Sequence, residues 1–233
     1  MNKIINENQS YCLGMSLTIE ALVKKPIFVK KIYLSNKANK NEQLDYLLKL
    51  ITDNNISFEY NDEVINKLSL KENCYCICVF DKFYNNLISN NHIVLYKFNS
   101  FGDLGTVLRS AVSFNLKDIV LIDCGFDYFD PRCVRASMGA IFHCNIKKYD
   151  SINDYISKYN KQTIVPFLSK SSKELSNLKI DNNYSIIISE NYYDLDNMFN
   201  DGYYIKHREG EEISLAIRSS IIFNQLFYLN RNR

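Results

Sequence analysis

Apolar residues recur along this chain with two periods, and the changes between them mark out its elements. Leu17, Ile19, Leu22 and Val23 fit a helix that stops near Pro26, and residues 28–34 alternate as a strand does. Leu44, Leu47, Leu48 and Ile51 lie at i, i+3, i+4 and i+7, the stripe of a helix resting on a sheet. A strand over 56–60, a short helix over 64–68 and a strand over 74–80 complete three strands alternating with helices. Residues 81–91 are Asn-rich with little apolar periodicity, which predicts a linker.

Beyond it the alternation resumes. The pattern predicts strands at 93–97, 118–123, 145–149 and 162–167, and helices at 103–114, 132–141 and 151–159. A buried run at 184–189, a short strand at 203–205 and a terminal helix over about 211–229 follow. In that helix Leu215, Ile217, Ile221, Ile222, Leu226 and Leu229 make an apolar surface wider than one stripe, which predicts burial. Strands alternating with helices imply a parallel sheet covered on both faces, so the fold class is α/β. The expected division is a small α/β domain over 1–80, a linker over 81–91 and a larger domain over 92–233.

Composition narrows the setting. With 46% hydrophobic and 23% charged residues, the chain reads as an ordinary globular protein. No apolar run follows Met1 and no stretch has membrane-spanning length, which points to an intracellular protein, cytoplasmic or organellar, without a membrane partner. The seven cysteines form no Cys-x-x-Cys. Cys74, Cys76 and Cys78 alternate on one strand face without a fourth ligand, so they read as core residues and no metal is expected.

Net charge is only +2, but its distribution is uneven. Residues 1–80 hold ten lysines and no arginine, whereas all seven arginines follow residue 80. Arginine suits forked recognition of phosphate better than lysine, so its confinement to the second part points to a polyanion there.

The stretch 99–149 concentrates the candidate chemistry. Asp103 is suited to capping a helix in which Leu104, Val107, Leu108, Ala111 and Val112 face inward and Arg109 sits beside that face. After a buried strand comes Arg135-Ala136-Ser137-Met138-Gly139-Ala140, a helix of small residues able to pack closely on another backbone.

These residues resemble the SpoU (TrmH-type) branch of the SPOUT RNA methyltransferases. The first motif of that family has a Gly-bearing turn and an Arg ahead of a hydrophobic strand, then an Arg-Ala-Ser-Met-Gly-Ala-like helix. The second motif, Gly-small-Glu-Gly, corresponds to Ile188-Ser189-Glu190-Asn191. The third, Ile-Pro-Met followed by Ser-Leu-Asn, corresponds to Ile205-Lys206-His207 and Ser214-Leu215-Ala216. Branched Ile188 would fill space next to a ligand, and Asn191 can still take a left-handed turn.

The resemblance implies a two-domain protein: a ribosomal-protein-like module that engages RNA, then a parallel-sheet domain with a C-terminal trefoil knot. It implies methyl transfer from S-adenosylmethionine to a ribose 2'-hydroxyl, of ribosomal RNA first and tRNA second, by a homodimer. Carried over by position, Arg109, Glu190, Ser214 and Asp103 are the catalytic candidates. Ile188, Ser189, Ile205, Leu215 and Phe167 would contact the cofactor, and Arg109, Arg132 and Arg135 the RNA. His207 and His143 are weaker candidates for a base. Asp103, Ile188, Asn191 and Ala216 depart from the motifs and favour the alternative, an RNA-binding protein on the same scaffold without methyl transfer. A dimer that binds no RNA is a third option, resting on the near-neutral charge.

Overall fold

The computed structural model describes residues 4–69, 73–181, 183–208 and 210–231. They form two compact units, 1–83 with 128–143, and 84–127 with 144–233.

In the first unit β1 (Gln9–Leu13), α1 (Met15–Lys24), β2 (Val29–Leu34), α2 (Glu42–Asp53), β3 (Ser57–Tyr60), α3 (Asp62–Leu68) and β4 (Cys76–Asp81) follow in order. The sheet runs β1-β4-β2-β3, with β4 antiparallel to both neighbours and β3 parallel to β2. Strand β1 escaped the sequence reading because its inward residues are Ser10 and Cys12, which give no apolar alternation. Helices α2 and α3 start where Asn41 and Asn61 accept hydrogen bonds from Leu44 N and Val64 N, both at 3.0 Å.

The second unit carries β5 (His92–Tyr96), α4 (Phe101–Ser113) and β6 (Asp118–Ile122). The chain then leaves for the first unit as α5 (Pro131–Ala136) and returns as β7 (Asn145–Tyr149), α6 (Ile152–Lys158), β8 (Thr163–Pro166), β9 (Lys173–Glu174) and β10 (Tyr184–Ser189). It ends with α7 (Tyr192–Asp196), β11 (Tyr203–Tyr204) and α8 (Leu215–Arg231). The five-stranded sheet is parallel throughout, in the order β7-β6-β5-β10-β8. Ile93 is in register with Ile119 on one side and Ile186 on the other. Val94, Val120 and Ile187 pack with Ile152, Tyr155 and Leu195 in one of its core clusters.

The single expected boundary therefore needs a correction: residues 128–143 interrupt the second domain and belong to the first unit. The reason lies in contacts. Phe129 and Phe142 stack with Phe80 and Phe83 at ring distances from 4.8 to 6.1 Å, and Ser10 Oγ donates to Phe129 O. The expected helix over 132–141 also breaks early. Met138 and Gly139 take left-handed angles (φ 49° and 89°), and a Cβ at Gly139 would lie 2.9 Å from Glu20 Cγ of α1. His143 ends this excursion with Nε2 2.7 Å from Glu20 Oε2, which gives it a partner in the first unit.

At the amino ends of the parallel strands lies a buried polar cluster. His92 is fully buried, with Nε2 3.0 Å from Ser89 O and Nδ1 2.8 Å from Tyr155 Oη. A carbonyl cannot donate, so Nε2 carries the proton and Nδ1 accepts from Tyr155. Ser185 Oγ is 2.7 Å from Tyr155 Oη and donates to Gln162 Oε1. Burial holds the His92 pKa below its ordinary value. Burial alone would raise Asp118, but hydrogen bonds from Ser89, Ile88 and Asn145 hold its carboxyl low. Among the described residues no helix is long and apolar enough to cross a membrane.

Candidate active site

Strand order fixes where a ligand can approach. From β5 the chain winds outward through β6 to β7, while β10 lies on the other side of β5. Adjacent parallel strands whose connections leave in opposite directions open a crevice at their carboxyl ends. Here those ends are the β5–α4 turn and the loop after β10. Asn99 N donates to Glu190 Oε2 at 3.1 Å, and Lys97 Nζ lies 3.1 Å from Asp194 Oδ1. Lys97 takes the left-handed φ of 46°, uncommon for a residue with a side chain.

A cleft of about 810 Å³ opens at this place, lined by Asp103, Ser169, Glu190 to Tyr193, His207, Gly210 to Leu215 and Arg218. The fold thus brings together Asp103, Glu190, Ser214, Leu215 and His207 from distant parts of the sequence. Glu190 is exposed and directly follows β10, and Ser214 immediately precedes α8. His207 Nδ1 lies 2.7 Å from Ile205 O, which leaves Nε2 as the nitrogen toward solvent.

Two details of the sequence reading change. The cap of α4 is Ser100, whose side chain accepts from Asp103 N at 3.1 Å, so the helix starts at Phe101 and the Asp103 carboxylate is left to face the cleft. Asn191 is extended (φ −104°, ψ 118°) rather than left-handed. It caps α7 by accepting from Tyr193 N at 3.0 Å, so a short helix replaces a glycine turn. No ion pair joins Asp103 to Arg109 among the described residues. Six helical steps of about 100° place them roughly 120° apart around α4.

The remaining candidates lie off the cleft lining. Ile188 and Ser189 are buried in β10, and Ile205 and Phe167 are also buried. Arg109 is exposed on α4 with no side-chain partner among the described residues. Arg132 forms a two-point pair with Asp130 at 2.9 and 2.8 Å, and both it and Arg135 belong to the first unit.

Sequence reasoning missed Arg218. It is 2% exposed, stacks with its guanidinium carbon 3.9 Å from the centre of the Tyr192 ring, and donates from Nη2 to Glu190 O at 2.6 Å. Its Nε and Nη1, like the hydroxyls of Ser189 and Ser219, find no hydrogen-bond acceptor or donor among the described residues. The signal was present in the sequence: Leu215, Arg218, Ser219, Ile222 and Leu226 keep the spacing of one buried helix face, and an arginine there has no structural reason to be apolar-facing.

The cleft offers four carboxylates (Asp103, Glu190, Glu211, Glu212), one buried guanidinium and a wall of Leu215, Tyr192 and Tyr193. That set fits a zwitterionic ligand carrying positive centres, an aromatic or apolar part and an oxyanion.

Comparison with known proteins agrees with this placement. Residues 90–190, which run from just before β5 to just after β10, match the model of the SpoU rRNA Methylase family. The SpoU resemblance read from the sequence is thereby borne out over that stretch. No curated protein matches the sequence. Among solved structures, the AdoMet-bound rRNA methyltransferase from Sinorhizobium meliloti superposes with a TM-score of 0.77 at 19% identity, over 94% of this chain and 86% of that one. The SpoU methyltransferase AviRb from Streptomyces viridochromogenes, in complex with AdoMet, gives 0.82 at 10% identity over 96% and 91%. A structure described as an RNA 2'-O ribose methyltransferase gives 0.77 at 14% identity over 97% and 90%. At such identities the likeness shows a shared fold.

Proposed function

We propose that this protein binds S-adenosylmethionine in the cleft between β5 and β10 and transfers its methyl group to a ribose 2'-hydroxyl of RNA, with ribosomal RNA as the substrate class. The observation that carries this reading is the coincidence of the family match over 90–190 with the two strands whose carboxyl ends frame the cleft. The donor set described above fits the cofactor, which supplies an electrophilic methyl carbon bound to a positively charged sulfur.

The chain's own residues then divide the work. Glu190 holds Asn99 N and so ties the β5–α4 turn to the loop after β10, fixing the shape of the crevice. The Ser214 hydroxyl stands at the amino end of α8, and Leu215 supplies an apolar wall. Asp103, which lines the cleft and is not spent on capping, would accept the hydroxyl proton as the new carbon–oxygen bond forms. The Arg109 guanidinium is a poor base and lies off the cleft lining, so its role is to hold a phosphate of the RNA. Arg132 and Arg135 would contact the same RNA.

Two architectural readings accompany this one. The insertion of β10 between β5 and β8, followed by α8 packing on α4, supports a knotted carboxyl-terminal segment. Ile217 and Ile221, 56% and 38% exposed, line a groove of about 410 Å³ with Thr106 of α4, which supports pairing with a second copy there.

The test is transfer of labelled methyl from S-adenosylmethionine to ribosomal RNA, followed by alkaline digestion. Label retained in alkali-stable dinucleotides is the expected result, and Arg109→Ala should lower the rate by about 100-fold while leaving the thermal midpoint unchanged. Cofactor binding without transfer to any RNA would favour the RNA-binding reading without catalysis, whereas full activity of the variant would remove Arg109 from the site.

A further inference from the structure

We infer that Arg218 is the specificity-determining residue of the cleft, and that it anchors the carboxylate at the amino-acid end of the bound cofactor; this rests on the reading of the cleft as an S-adenosylmethionine site. The argument begins with the state of the guanidinium. At 2% exposure it is removed from solvent, yet among the described residues its guanidinium has one contact to Glu190 O and one ring face. An unpaired cation withdrawn from water is strongly destabilising, and an oxyanion is the partner that relieves it best.

Its surroundings hold it in place rather than neutralise it. Tyr192 covers one face, the Glu190 carbonyl fixes Nη2, and Arg218 N continues α8 by donating to Ser214 O at 2.9 Å. The Glu190 carboxylate is directed to Asn99 N instead of to Arg218. Nε and Nη1 therefore remain as donors within a residue that lines the cleft. The amino end of α8, a helix of 17 residues, adds its own partial positive charge beside them.

Charge decides between the two oxyanions an RNA methylation site could meet. Asp103, Glu190, Glu211 and Glu212 line the same cleft, so a phosphate entering it would face four carboxylates. A carboxylate carried by a molecule with an ammonium and a sulfonium group meets Arg218 with its negative end and the acidic residues with its positive ones. The pattern thus selects an amino-acid zwitterion.

The test compares ligands before any residue is changed. Calorimetric titration of the full-length protein with S-adenosylmethionine, S-adenosylhomocysteine and decarboxylated S-adenosylmethionine should show the decarboxylated compound binding at least about 10-fold more weakly. Arg218→Met should bring S-adenosylmethionine down to the level of the decarboxylated compound without weakening the latter, and Arg218→Lys should recover part of the loss. Equal binding of all three ligands by the wild type, or equal weakening of all three in Arg218→Met, would overturn the role of Arg218 while leaving the cofactor site standing. Failure of the wild type to bind any of them would remove the cofactor reading and this inference together. A stabilisation by inorganic phosphate that vanishes in Arg218→Met, and that S-adenosylmethionine does not prevent, would reassign the anchor to phosphate and overturn the carboxylate.

Discussion

The two ends of one strand treat a buried serine in opposite ways. At the amino end of β10, Ser185 is held by Tyr155 and Gln162, and the same cluster satisfies both nitrogens of His92. Four residues later, at the carboxyl end, Ser189 is 1% exposed with a hydroxyl that finds no partner among the described residues, and the same holds for the Ser219 hydroxyl and for Nε and Nη1 of Arg218. Both ends are buried, so solvent does not explain the difference. The polar groups clustered around Ser185 and His92 at the first end are satisfied by the fold itself and serve stability. Those at the second are left over by the fold, as expected of groups held ready for a ligand.

The contrast can be broken by mutation. The largest effect is expected at the amino end, where Tyr155→Phe removes the hydroxyl that donates to His92 Nδ1 in a dry site and should cost about 1–3 kcal/mol of unfolding free energy in a urea titration. A loss below a few tenths of a kcal/mol would mean that the cluster is not structural. Acid comes next. Because the folded His92 pKa lies below the unfolded value of about 6.5, the unfolded chain takes up the proton first. Stability should be full above that pH and fall as pH drops through 6, by at most about 1.4 kcal/mol per unit, and His92→Gln should flatten this slope. Asp118, also held low, adds a loss in the same direction below about pH 4. The smallest effect belongs to the carboxyl end. Ser189→Ala removes no hydrogen bond within the protein and should leave stability within about 0.5 kcal/mol of the wild type. A cost comparable to that of Tyr155→Phe would erase the distinction between the two ends.

The sequence read well where one physical effect ruled. Strand 184–189 stands where its apolar run placed it, and the strand expected at 118–123 ends one residue earlier, because a strand buried on a parallel sheet leaves little choice of register. It read poorly where the deciding partner was remote. Nothing local in residues 128–143 announces that Phe129 and Phe142 will join Phe80 and Phe83, and nothing in Gln9–Leu13 marks a strand whose inward residues are Ser10 and Cys12. The site divided along the same line. Glu190 and Ser214 could be placed by motif, but Ser100 displaced Asp103 as the cap by a shift of three residues. Arg218 went unseen because attention to the apolar members of α8 passed over the charged residue on their own face.

The position of β10 has a consequence for how the protein comes into being. Synthesis delivers β5 long before β10, and at ordinary elongation rates the stretch between Ile93 and its partner Ile186 takes on the order of 5–20 s to emerge. Throughout that interval one edge of β5 displays unpaired backbone flanked by Val94 and Leu95, and β8, once made, waits for β10, its sheet neighbour. The nascent chain is thus an open template for strand pairing until β10 has been made. Yield in the cell should respond more to the speed of translation and to chaperone supply than to the final stability of the sheet.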